Sequence, residues 1–320
     1  MAGKRHRVWL TRLGYSSVLV VFLSALLAWN LWRQLADDSE ERNTSDATQR
    51  GTQSVALHEA NQDRLHGKAS ELTAHPIDPL LALARRALAH HINNHSDYTA
   101  DLTKQERIGK TLFPPSTMSL KLRYAPKNSD DIDSERKVSV YLKTTKPKSQ
   151  AGREVIWIQD QNDNKLKAHE AGLLGMVTVD LSPNSRLAMT GNRYPITEVG
   201  LEKLLRKLIE RGERDRLLGP AEVRTSENAK IGNVPCKLVE VVHSEPWIEV
   251  DGKKVEFEFH LAQVYIDEAN LVPLKYASYA WPKSEGKEPE LLEMYTYENL
   301  QLNVGLTDSD FDPKNANYRF

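Results

Sequence analysis

His169-Glu170 opens a pattern that would matter if it were completed. In H-E-x-x-H, two imidazoles one helical turn apart grip zinc while the glutamate serves as general base. The second histidine falls due at Leu173, and His58-Glu59 fails likewise at Gln62. His91 and His95 do have i, i+4 spacing, but a metal site needs three or four ligands, and only Asp97 stands close by. Histidines near the end of a helix also suit the C-terminal dipole. Cys236 is the lone cysteine, which excludes an internal disulfide and a cysteine-based zinc site. In "NVPCKLVEVV" it reads as a small buried hydrophobe. There is no G-x-S-x-G elbow, Walker A loop or dinucleotide fingerprint. Carboxylates are abundant, yet spacing marks no pair for glycoside chemistry. Arg153 and Glu154 should point to opposite faces of a strand and so not pair with each other. An enzyme would require His169, Glu170, Arg153 and Arg193 to meet in one place. The sequence therefore assigns no catalytic residue, no metal ligand and no cofactor.

The chain has 320 residues, 40% hydrophobic and 27% charged, with a formal net charge of −1. That balance supplies no overall field for nucleic acid. Residues 1–12 are basic, and 13–32, "LGYSSVLVVFLSALLAWNLW", carry no charge. About 20 apolar residues match the hydrocarbon thickness of a bilayer. Basic residues before the span and acidic ones after it place the N-terminus in the cytoplasm and the rest of the chain outside. A cleaved signal peptide is the competing reading, but no clean A-x-A site follows the span. Either way the remainder is exported. Residues 33–75 are polar and without sustained periodicity, which predicts a disordered tether.

Structure is expected from 76 to 320. "PIDPLLALARRALAHHINNH" predicts a helix with Asp78 as N-cap and Pro79 as first helical residue. A run of strand-like segments follows, including a hairpin from 152 to 172 turned through "QNDN". "TEVGLEKLLRKLIERGERD" is an amphipathic helix, with Leu201, Leu204, Leu205, Leu208 and Ile209 on one stripe and Thr197 as a plausible cap. More strands follow, with "DEAN" and "GKEP" as turns. Adjacent strands favour antiparallel hairpins over crossovers, so the fold class is α+β: a curved antiparallel sheet wrapped around amphipathic helices, preceded by one transmembrane helix.

"YTADLTKQERIG", "VYIDEANLVPLKYASY" and "MYTYENLQLNVGLTDSDFDP", the last with Phe311 and Pro313, resemble the LolA/LolB-like superfamily of outer-membrane lipoprotein carriers and receptors. "GREVIWIQDQNDNKLKAHEAG" and "GNRYPITEVGLEKLL" more specifically resemble an uncharacterised family of exported bacterial proteins within it. The resemblance spans about Pro76 to Pro313. It implies an incomplete β-barrel around helices, with a hydrophobic cavity that takes acyl chains. A chain fixed by a protein span departs from the soluble carrier and the lipidated receptor. The expected function is a membrane-tethered periplasmic module holding a lipid, a lipoprotein acyl chain or another apolar ligand. The candidate lining is Leu120, Leu122, Trp157, Phe257, Phe259, Tyr276 and Tyr295 on central strands, each of which reads equally as ordinary core. The alternative is a cell-envelope scaffold whose barrel is filled.

Overall fold

Two runs of antiparallel strands meet along their first and last members. The computed structural model describes residues 75–127, 134–170, 177–219, 221–250, 252–284 and 286–320. The basic N-terminus, the 13–32 span and nearly all of the tether lie outside the described residues. Among the described residues no helix is long and apolar enough to cross a membrane. Helix α1 (Asp78–Asn94) leads into β1 (Asp97–Ile108), β2 (Thr111–Leu112), β3 (Ser116–Tyr124), β4 (Val138–Lys146), β5 (Glu154–Ile158), β6 (Leu166–His169) and β7 (Thr178–Leu181). Helix α2 (Leu201–Leu218) then leads to β8 (Glu222–Ile231) and β9 (Val234–Val242). The chain goes on through β10 (Trp247–Val250), β11 (Lys253–Glu256), β12 (Leu261–Asp267), β13 (Val272–Tyr279) and β14 (Leu291–Leu302).

The main sheet runs β7-β6-β5-β4-β3-β1-β14-β13-β12-β9-β8, with β2 beside β1 and β10–β11 as a separate hairpin. β7 and β8 do not pair, so the sheet is open. The register explains its inner face, because residues opposite one another share a side. Leu302, Tyr98, Leu122, Val140 and Trp157 lie in successive cross-strand pairs, as do Ala100, Leu120, Leu142 and Val155. With Tyr124, Val138, Leu166 and Leu201 they make one packed cluster. Ile77 and Leu81 from α1 pack with Val239, Val241, Val264, Ile266 and Tyr276 in a second. The described residues other than Ser185–Leu187 belong to one unit.

The outer face is covered too. Tyr141 and Ile156 point away from the helices and are buried by the C-terminal tail through Phe311, Tyr318 and Phe320. Tyr318 stacks on Tyr141 at 4.1 Å, and the Arg319 backbone N–H donates to the fully buried Glu154 at 3.0 Å.

Both helix starts differ from the sequence expectation. α1 begins at Asp78, whose carboxylate accepts a hydrogen bond backward from the His75 N–H at 2.8 Å. α2 begins at Leu201, while Thr197 sits in a preceding 3-10 turn. Buried tyrosines do the capping: the Leu201 N–H donates to Tyr98 at 3.0 Å and the Glu202 N–H to Tyr124 at 3.2 Å. Such close approach requires Gly200, at φ 127°, where a Cβ would meet Leu122 Cδ1 at 2.9 Å. Gly200→Ala should therefore cost about 2 kcal/mol, measured by urea unfolding.

Candidate functional site

An apolar seam lies between α1, α2 and the β9-β12-β13 part of the sheet. From α1 come Leu80, Leu81, Leu83, Ala84 and Ala87, and from α2 Leu205, Leu208 and Gly212. Val241, Ala262, Val264, Ile266 and Phe259 complete the apolar wall. Small residues let the helices meet closely: Ala84 and Ala87 line the seam, and at Gly212 an added Cβ would meet Leu81 Cδ2 at 2.9 Å. The enclosed volume is about 50 Å³. A water molecule occupies about 30 Å³ of its liquid, and drug-sized pockets run to several hundred. The seam is thus narrow, and among the described residues its polar side chains are Arg211, Asp215 and Tyr276.

A charged wall adjoins it. Glu106 on β1 stands directly opposite Glu293 on β14, and both are almost fully buried on the inner face. Lys104 Nζ donates to Glu106 Oε2 at 2.6 Å and to Asn192 at 2.5 Å. The Tyr295 hydroxyl donates to the other Glu106 oxygen. Glu293 is held by Arg193 at 3.2 Å, by Arg211 at 3.3 Å and by the Ser278 hydroxyl at 3.3 Å. Arg211 also donates to the hydroxyls of Tyr276 at 2.6 Å and Tyr194 at 3.1 Å. Burial, followed by the neighbouring Glu106 and Glu293, pushes the Tyr295 phenol far up, and burial does the same for Tyr194 and Tyr276. The phenols stay protonated: Tyr295 donates to Glu106, while Tyr276 and Tyr194 accept from Arg211. Each buried carboxylate has a cation beside it, as burial of charge demands. The wall is a clasp between α2, the Arg193-Tyr194 segment and the sheet, and its carboxylates are committed to it.

Residues 95–320 match DUF1571, a family of proteins of unknown function. The chain belongs to that family. No curated protein matches it. Among solved structures, the chain is similar to a putative outer membrane lipoprotein-sorting protein domain from Vibrio parahaemolyticus, at 12% identity over 72% of this chain and 95% of that one, TM-score 0.34. A LolA superfamily protein from Nitrosomonas europaea is similar at 11% identity over 72% and 97%, TM-score 0.28. The Mycobacterium tuberculosis lipoprotein LppX is similar at 10% identity over 73% and 100%, TM-score 0.36.

In the DUF1571 region the candidate lining residues separate. Phe259 and Tyr276 face the seam. Leu120, Leu122 and Trp157 are packed in the cluster around Leu201, away from it. Tyr295 belongs to the charged wall. Phe257 and Phe259 do not lie on a central strand, because they fall between β11 of the separate hairpin and β12, where the chain rejoins the main sheet. There Phe257 stacks on the fully buried His243 at 4.0 Å, and His243 Nε2 lies 3.2 Å from the Asp215 carboxylate.

The hypothetical catalytic quartet does not assemble. Arg153 pairs with Glu170, His169 packs by the tail residue Phe320, and Arg193 is in the charged wall. Glu154 faces away from Arg153's partner and pairs with Lys143 at 3.0 Å. His91 and His95 contact each other through Nδ1 atoms at 3.0 Å, and among the described residues no group of three metal-binding side chains forms.

Sequence reasoning missed Glu106, Glu293 and Arg211. A signal existed: along β1 the inward phase runs Tyr98, Ala100, Leu102 and then turns polar at Lys104 and Glu106. The α2 stripe likewise passes from Leu204 and Leu208 to Arg211 and Asp215.

Proposed function

We propose that this chain is an exported module, tethered to the bacterial inner membrane by residues 13–32, that holds a lipid or other apolar ligand between α1 and the sheet. The observation that supports this reading is the seam itself. Its walls are apolar along both helices and three strands, and small residues stand where the helices meet. At about 50 Å³ it admits no acyl chain as it stands. Binding therefore requires α1 to lift from the sheet and exchange its own leucines for the ligand.

The test is chemical. Full-length protein solubilised in amphipol is exposed to a photoreactive long-chain alcohol, and labelled peptides are mapped by mass spectrometry. Labelling concentrated on α1, β12 and β13 supports the reading, and its absence there refutes it. Ala84→Trp fills the seam and should reduce labelling at least about tenfold, since overpacking of this kind costs about 1–3 kcal/mol and ligand entry must now displace an indole.

The filled cluster around Trp157 and Leu201 favours a second reading, an envelope scaffold that uses its outer surface. An unlabelled seam in a folded protein is the outcome that would select it.

A further inference from the structure

At the rim of the seam Arg211 and Arg214 stand three residues apart on α2, so their side chains emerge on one face. Glu258 bridges them, with Oε2 3.3 Å from Arg211 Nε and Oε1 2.5 Å from Arg214 Nη1. Glu258 immediately precedes Phe259, which lines the seam. It is also exposed, its side chain at 46%. One flexible, solvent-facing carboxylate therefore occupies two guanidinium groups where the apolar wall ends.

We propose that Arg211 and Arg214 receive the acidic headgroup of a single-chain amphipath, and that Glu258 holds the place of that headgroup in the empty protein. This deepens the apolar-ligand reading and rests on it. Guanidinium groups pair with carboxylates through charge-assisted hydrogen bonds, so an external carboxylate can exchange for Glu258 at the same donors. The neighbouring acids do not oppose it. The Asp215 carboxylate is turned to His243 at 3.2 Å, and Glu293 lies deeper, shared between Arg193 and Arg211. Arg214 keeps a second anchor in the Glu256 carbonyl at 3.0 Å, so its guanidinium stays at the rim when Glu258 leaves. A narrow seam ending in one place for one carboxylate selects one chain and one acidic group.

Photoreactive palmitic acid and the matching photoreactive alcohol separate the two levels of the argument on full-length protein. The acid should label the seam at about tenfold lower concentration than the alcohol, the scale of one charge-assisted contact. Glu258→Ala, which removes a half-exposed carboxylate and its pairs to Arg211 and Arg214, should widen that advantage. Arg214→Gln, at a half-exposed guanidinium outside the buried carboxylate wall, should remove most of it while the alcohol still labels. Equal labelling by acid and alcohol in the wild type, or an advantage indifferent to Glu258→Ala, overturns the headgroup site and leaves the apolar seam standing. Failure of both probes overturns the apolar reading itself.

Discussion

Replacing Arg136 by methionine should lower the free energy of unfolding by about 3–5 kcal/mol, the scale observed when one partner of a buried ion pair is removed. Arg136 precedes β4 and ties three elements together. Its Nε donates to Glu202 on α2 at 2.9 Å, and both side chains are nearly buried, at 6% and 4% exposure. Its Nη1 donates to the carbonyls of His95 at 2.7 Å and Ile92 at 3.3 Å, which end α1. The guanidinium also lies 4.0 Å from the centroid of the Tyr124 ring. Removal leaves two carbonyls without their donor and Glu202 with Arg206 alone at 2.9 Å. Urea unfolding measures the loss. The double variant Arg136→Met, Glu202→Gln should be less destabilised than the two single losses added together, because the uncompensated charge goes with its partner. Simple additivity would show that Arg136 acts through packing and its backbone bonds, and that the ion pair contributes nothing.

What the sequence made legible were the parts whose pattern is local. Alternation in "KVSVYLKTTKP" and the turn residues of "QNDN" predict β4 and the β5–β6 hairpin, and the structure has them, with Asn162, Asp163 and Asn164 all at positive φ. The α2 stripe is likewise a matter of 3.6-residue spacing. The charged wall was hidden because it depends on β1 pairing with β14, nearly 200 residues on, and no local period encodes which strand closes a sheet. Glu106 meets Glu293 only through that register. "VEFEFHLAQVY" misled for the opposite reason. Its alternation continues across a real break, where the Phe257 N–H donates to the Pro246 carbonyl at 3.0 Å and Phe257 turns onto His243. Alternation reports which side a residue faces, not whether the strand is continuous. The tail shows a third limit: Phe311 is buried, and Tyr318 and Phe320 half-buried, against a surface their own segment does not contain.

Acidification below about pH 6.5 should weaken the fold, and His91 should account for much of the loss. His91 is fully buried on α1 between His95, Tyr98 and Tyr124. Burial holds its imidazole well below the ordinary 6.5, and His95, Arg136 and His90 add to the effect by charge repulsion. His95 is lowered by burial and by His90 and Arg136. A base with a depressed folded pKa is neutral in both states above pH 6.5, so its stabilising contribution is complete there. As pH falls through 6.5 the unfolded chain takes up the proton and the folded chain does not, so stability declines until the folded pKa is reached. The slope approaches about 1.4 kcal/mol per pH unit for each such histidine. Asp78, Asp180 and Asp310, whose ion pairs hold them below the ordinary 3.8, lose their contribution only at still lower pH. Urea midpoints at about pH 7.5 and about pH 5 measure the slope, and His91→Leu should flatten it by removing the group that resists protonation. An unchanged slope in that variant would place the acid sensitivity elsewhere. The same cluster joins the end of α1 to Arg136 and Glu202, and in the proposed mode of binding α1 lifts to open the seam. Acid that loosens His91 and His95 should therefore also increase labelling of the seam before global unfolding begins.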